Sequence, residues 1–345
     1  MNDPKSIDPY RAGTAFAGAG EAPPPLPDLP PVEAPSAGFI VQLFVIPAVV
    51  VAVVIIVWLL FGKLAHGERD AMEYIHQLRS PSASWRMAHE LASLINNDPK
   101  LANDPRLLGE MCDLLSYELD HPEDTDLTEF VTHAVGAFQA PDGKLSNGQN
   151  ISPLAPLSRA LGSKFPPKVR IAAAMSLAKY AARRAGEIDD ETAVKALAEA
   201  AADQNADLRY VAVYAIGFFG GQKATDVLRE RIGTDPDRFP RYNAAIALAR
   251  KSDLAALPTL KEMLSTSLLD QGLSTVPELT ASTEKQNKIE SIELEALNAL
   301  QSSLEGGASE LARSLRPEIE QLTKSGLVSV RNLAQAVLQK LPESK

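Results

Sequence analysis

The sequence predicts an all-α fold in two parts, one apolar helix near the N-terminus and then a long array of helical hairpins. Three observations predict it. Phe39 to Phe61 is a run of 23 residues without a charge. From Glu68 onward the apolar residues recur with a period near 3.6 and not 2. One pattern, an arginine followed by a small residue three on and an aliphatic residue seven on, returns four times.

The first 38 residues precede the apolar run and contain nine prolines, including PPPLPDLPP at 23–31. Such a segment buries too little apolar surface to offset its ordering entropy, so a disordered tail with polyproline II character is expected. Its PxxP spacings, Pro24 to Pro27 and Pro27 to Pro30, read either as a ligand for a polyproline-reading domain or as a stiff spacer.

Residues 39–61 then read as a single transmembrane helix. At about 1.5 Å per residue the run is roughly 35 Å long, enough to cross a hydrocarbon core with some tilt. It is longer than a signal-peptide h-region of about 7–15 residues, and the tail before it is acidic. Pro47 is a kink site of the kind membrane helices tolerate, and Trp58 fits an interfacial anchor. Ala12 to Gly38 contains no Lys or Arg, whereas Lys63, Arg69, Arg79 and Arg86 follow the span. Positive residues stay on the cytoplasmic side, so the large C-terminal domain is expected in the cytoplasm and the tail outside.

Residues 62–80 read as a juxtamembrane helix and 81–345 as the repeat domain. Helix starts are expected at Ser82, Asp98, Asp104, Asp124 or Asp126, Ser152, Asp190 and Asn205. Stops are expected at Gly162, Gly220-Gly221 and Gly306-Gly307. Two connections are long, Ala140 to Asn150 and Ser265 to about Glu284, and either could be a binding element or a tolerated insertion.

The recurring pattern is Arg170-Ala173-Leu177, Arg209-Ala212-Ile216, Arg241-Ala244-Leu248 and Arg331-Ala334-Leu338. A leucine-bearing helix precedes each, so one repeat is one hairpin. One hairpin cannot bury both faces, so neighbours must stack into a solenoid. The four arginines are expected to be structural, bonding an acidic residue or carbonyls at the inter-helix turn, with Asp203 the candidate partner of Arg209 and Asp235 or Asp237 that of Arg241.

The stretches KVRIAAAMSLAKY, DLRYVAVYAIGFFGG, FPRYNAAIALARKSD and SVRNLAQAVLQKL resemble HEAT-like repeats, including those of phycobilisome-lyase-type proteins. The resemblance covers roughly 152–265 and 310–342. It implies a HEAT-like α-solenoid whose second helices line one surface. Two stretches depart from the pattern: Ala88 follows Arg86 by two, and Glu293 stands at the arginine position before Ala296 and Leu300.

No catalytic constellation is visible. GFFGG at 217–221 lacks the Gly-Lys-Ser/Thr ending of a phosphate loop, and DHPEDTD at 120–126 lacks calcium-loop spacing. Cys112 is the single cysteine, and no two of the five histidines are three or four apart. No metal, cofactor or catalytic residue is therefore assigned. The formal net charge is −10, of which the tail carries −3, and an acidic domain is a poor match for nucleic acid.

Tyr210, Tyr214 and Phe218 fall at i, i+4 and i+8 of a second helix, and Tyr242 is the repeat-equivalent of Tyr210. They read either as an aromatic ladder that docks a protein partner or as rings packed between repeats. Met175 and Ile246 occupy the Tyr214 column, which points to core there. The function expected is a non-catalytic, membrane-tethered protein-interaction scaffold. An accessory, lyase-like enzyme and a single-pass sensor are the alternatives.

Overall fold

A computed structural model of the chain describes residues 38, 41–65, 71–184, 186–274, 276 and 282–341. The proline-rich tail through residue 37 lies outside the described residues. So do 66–70, within the expected juxtamembrane helix, and 275 and 277–281, within the expected long connection. The chain divides between Gly67 and Glu68 into two compact units.

The first unit is helical. Val41–Val45 forms a π-helical turn that runs into α1 (Ile46–Ala65). Pro47 stands at the second position of α1. It has no N–H to donate backward, which suits it to the start of a regular helix that follows a wider turn. Val41–Trp58 is long and apolar enough to cross a membrane, and none of it is buried against protein.

The second unit is a double layer of helices. Its hairpins begin with α2 (Ala71–Leu78) and α3 (Trp85–Asn97), followed by the single turn α4 (Pro99–Ala102). Next come α5 (Pro105–Asp120) with α6 (Thr125–Val135), and α7 (Leu154–Ala160) with α8 (Pro167–Ala182). Then follow α9 (Glu191–Ala200) with α10 (Ala206–Ile216), and α11 (Gly221–Thr234) with α12 (Arg238–Arg250). A 3-10 turn (Leu254–Ala256) leads to α13 (Leu257–Met263), α14 (Thr266–Leu273) and α15 (Ser282–Glu305). The described chain closes with α16 (Glu310–Ser314), α17 (Arg316–Leu322) and α18 (Val328–Lys340).

Helices α3, α6, α8, α10, α12, α15 and α18 pack each on the next and form one layer. Helices α2, α5, α7, α9 and α11 form the other in the same way. The sequence supports this twofold burial. In α8 the run Ala172, Ala173 and Ala174 is fully buried, and in α12 Ala244 and Ala245 are too. Small side chains let α8 sit close to both α6 and α10. The larger residues Leu177, Ile216 and Leu248 fill the space between layers.

Helix starts follow the capping chemistry at Asp98, Asp104, Asp124, Asp190 and Asn205, each of which accepts a bond from a backbone N–H two or three residues on. Two expected starts are displaced. Helix α3 opens after Ser84, not Ser82. Helix α7 opens at Leu154, with Ser152 Oγ accepting from its N–H at 3.3 Å. Gly220-Gly221 begins α11 and does not end α10, which stops at Ile216. Gly221 has φ of +76°, and an added Cβ would meet the Asp189 carboxylate, so the turn needs glycine there.

The two expected long loops both carry structure. Within 140–150 the chain makes a small antiparallel hairpin of β1 (Gly143–Lys144) and β2 (Asn150–Ile151), so the second unit is not purely helical. Two-residue strands leave no alternating apolar signature. The hairpin lies against α5 because Gly109 and Gly143 have no side chains: a Cβ on Gly109 would stand 2.5 Å from the Lys144 carbonyl oxygen. The first half of 265–284 is helix α14. Leu269 and Leu273, one turn apart, are fully buried and give that segment a core-facing side.

Candidate functional site

The expected structural arginines sit at the inter-helix turns and link successive repeats. Arg170 is buried. Its Nε donates to the Leu161 carbonyl at 2.9 Å, and Nη1 donates to Asp203 Oδ2 at 2.7 Å. Arg209, also buried, donates from Nη1 to the carbonyls of Asp203 and Gln204 at 2.8 and 3.0 Å. Its Nε reaches the Asp235 carboxylate at 3.2 Å, and Nη2 is paired with Asp237. Each arginine thus donates to carbonyl oxygen of its own turn and to a carboxylate of the next turn. This corrects the expected pairing. Asp203 and Asp235 serve Arg209 and Arg241 only through their carbonyls, and their carboxylates reach back one repeat. The Asn205 N–H and then Arg170 hold the Asp203 carboxyl below the usual carboxylate range.

The series stops at Arg241. Its Nη1 donates to the Asp235 and Pro236 carbonyls at 3.1 and 3.3 Å, and among the described residues no carboxylate pairs with it. Among the described residues Arg331 likewise bonds the Ser325 carbonyl, at 2.7 Å, and no carboxylate. In the repeat after Arg241 the arginine position is Glu293, which is fully buried. Thr266 Oγ1 donates to Glu293 Oε1 at 2.5 Å, and Oε2 has no partner. Burial first, and Glu290 to a lesser degree, push the Glu293 carboxyl up, while the Thr266 bond opposes them.

The sign of the resulting pH dependence follows from that shift. Below the ordinary carboxyl range both folded and unfolded chains are protonated at Glu293. Above it the unfolded chain releases the proton and the folded chain retains it, so stability falls as pH rises until the folded pKa is passed. Glu293→Gln keeps the acceptor for Thr266 and does not titrate. The variant is expected to gain stability over the native chain as pH rises above the ordinary carboxyl range, read as a growing difference in urea midpoint.

The four aromatic residues separate. Tyr210 and Tyr214 on α10 are each 41% exposed. Phe218 lies in the turn beyond α10, half-buried, with its ring 4.9 Å from Tyr214 in an edge-to-face contact. Tyr242 is only 3% exposed, and its hydroxyl donates to Glu262 Oε1 at 2.6 Å. Tyr242 is therefore core and not part of an exposed ladder. Tyr214 is surface, although its column was expected to be core; Ile246 in that column is buried. The difference between Tyr210 and Tyr242 comes from the next repeat, where α13 supplies Glu262 as a partner. Replacing Tyr242 by Ser should cost about 3 kcal/mol or more, in the range of large core truncations. Tyr210→Ser should stay within about 1 kcal/mol, and thermal melts of the two variants check both.

Beside Tyr210 lies a groove of about 650 Å³ between α10, α12 and α15. Tyr210, Arg238, Phe239, Arg241 and Lys288 line it, with Asp207 and Asp237 on its rim. Lys288 Nζ stands 4.7 Å from the Phe239 ring centre, a cation–π contact. Arg238 Nη1 is buried and has no hydrogen-bond partner. Burial raises the Tyr210 phenol, and Glu295 adds to it. Of these residues the sequence singled out Tyr210 for binding and Arg241 for structure. Arg238 and Phe239 carried a local signal, since they precede Arg241 in RFPRY, but Lys288 comes from a distant helix and carried none.

A second aromatic cluster lies on α3 and α6. Trp85 stacks on Phe130 at 5.0 Å, with His89 edge-on to Phe130 at 5.5 Å. Cys112, in contrast, is fully buried in α5, and burial pushes its thiol up to about 12. Among the described residues no three His, Cys, Asp or Glu side chains are grouped to hold a metal ion.

Comparison with known proteins agrees with the helical array. Residues 154–249 match the family model for HEAT repeats, and residues 240–266 match the PBS lyase HEAT-like repeat. The matched residues lie in the middle of the second unit. Among solved structures the chain is similar to human deoxyhypusine hydroxylase in complex with glycerol, at 17% identity, over 78% of this chain and 83% of that one, with a TM-score of 0.31. It is also similar to an engineered protein, at 16% identity, over 79% and 96% of the two chains, with a TM-score of 0.30. No curated protein matches.

Proposed function

We propose that the chain is a non-catalytic protein-interaction scaffold held at a membrane by residues 39–61, with the repeat domain on the cytoplasmic side. The observation that carries this reading is the exposed pair Tyr210 and Tyr214 beside a groove lined by cations and aromatic faces, on a layer of stacked HEAT repeats. Such arrays present extended surfaces to other proteins, and tyrosine is enriched at binding hot spots. The groove supports recognition better than bond making. Its cations are guanidinium and ammonium groups, and its one phenol is shifted away from acting as a base. The apolar, unburied Val41–Trp58 helix and the basic residues after it support the tether and its orientation.

The test places a photo-crosslinking amino acid at Tyr214, or at Tyr117 on α5 as a distant exposed control, in the full chain within its native membranes. One protein crosslinked in stoichiometric yield from position 214 and not from 117 is the expected result. Equal, diffuse labelling from both positions would remove the scaffold reading.

A further inference from the structure

We propose that the groove between α10, α12 and α15 takes an acidic peptide segment of a partner protein, whose carboxylates complete the interrupted arginine series. The proposal rests on the scaffold reading and names the chemistry of its partner. Arg170 and Arg209 each receive a carboxylate from the following turn. Arg241 occupies the same place in the next repeat and, among the described residues, bonds only the carbonyls of its own turn, while the arginine position of the repeat after it is the glutamate Glu293. By analogy with Arg170 and Arg209 the missing partner is an anion, and Arg241 is among the residues that line the groove.

Two further cations converge there without carboxylates. Arg238 also lines the groove; its guanidinium lies over Gly272 of α14, where Nη1 is enclosed and has no hydrogen-bond partner, a costly state for a charged donor. Lys288 has the Phe239 ring as its contact. Of the two acids on the rim, Asp237 is already paired with Arg209, which leaves Asp207 as the one opposing charge. A cationic groove on a chain of net charge −10 is a local reversal of sign, and it selects acidic partners and speeds their approach. Tyr210 and Phe239 add π faces for an apolar side chain between the acids. At about 650 Å³ the groove lies within the usual range of roughly 300–1,000 Å³ for ligand sites.

The test uses the full chain in lipid nanodiscs and fluorescence anisotropy. The probes are fluorescein-labelled octapeptides with four Glu or Asp residues around a central Leu or Tyr, and the same peptides with Gln and Asn in place of the acids. Binding of the acidic set alone, weakening as salt is raised, is expected. Lys288→Gln and Arg238→Gln should each weaken it about tenfold, since each removes one cation from the groove lining. Lys288 makes no turn contact, so its variant remains informative if an arginine variant fails to fold.

Equal binding of the neutral peptides, or no loss in both variants, would overturn the proposal. Vesicles rich in phosphatidylserine that bind the chain through Lys288 while the peptides do not would overturn it in favour of a lipid surface. The Tyr214 crosslink separates the two levels of inference. A partner captured through a segment without acids removes this proposal and leaves the scaffold standing.

Discussion

Replacing Arg209 by Met is expected to lower the stability of the repeat domain by about 3–5 kcal/mol, the cost of stripping one partner from a buried ion pair. The Asp235 side chain has no solvent exposure, so without Arg209 its charge is left in the interior. The same change frees the Asp203 and Gln204 carbonyls and releases Asp237. Urea unfolding followed by circular dichroism reads the loss as a lower midpoint. The double variant with Asp235→Leu should recover part of it, because the uncompensated carboxylate is then gone. Arg241→Met should cost much less, about 1–2 kcal/mol, since only carbonyl bonds are lost. Equal losses for Arg209→Met and Arg241→Met would show that the carboxylates contribute nothing.

Phe219→Ala is expected to cost about 3–5 kcal/mol, whereas Phe218→Ala should stay near 1 kcal/mol. The two residues are neighbours, yet their surroundings differ. Phe219 has no exposed surface and sits under the turn that joins α10 to α11. Its carbonyl accepts from Lys251 Nζ at 3.0 Å, and the next N–H, of Gly220, donates to the Ile188 carbonyl at 2.7 Å. Removing the ring would leave a cavity beneath a turn whose backbone is tied on both sides, so the site cannot collapse readily. Phe218 faces the half-open side with Tyr214. Thermal unfolding of both variants checks the contrast, and comparable losses would show that Phe218 is core as well.

The helical array was legible because its signals are local and repeated. A hydrophobic period of 3.6, aspartate caps and a recurring arginine each report on residues within one or two turns. What stayed hidden depends on contacts between repeats. Tyr210 and Tyr242 hold equivalent positions, yet Tyr242 is buried with its hydroxyl on Glu262 of the next hairpin while Tyr210 stays exposed. The arginine partners were misplaced by one repeat for the same reason: the carboxylates reach backward across a helix pair. The hairpin at 143–151 was invisible because its strands have two residues each and its seat on α5 depends on the absence of a side chain at Gly109. The groove joins residues from three helices, and Lys288 enters it from 78 positions beyond Tyr210.

The burial of Cys112 has a practical side. The nucleophilic form of cysteine is the thiolate, and a thiol with a pKa of about 12, enclosed in α5, is almost wholly protonated at neutral pH. It is the chain's single cysteine. The surface is therefore insulated from thiol oxidation and disulfide exchange, and the native sequence provides a thiol-silent background. A cysteine introduced at an exposed position such as Tyr214 or Leu268 would be the sole site open to maleimide dyes or spin labels, with no native residue to remove first.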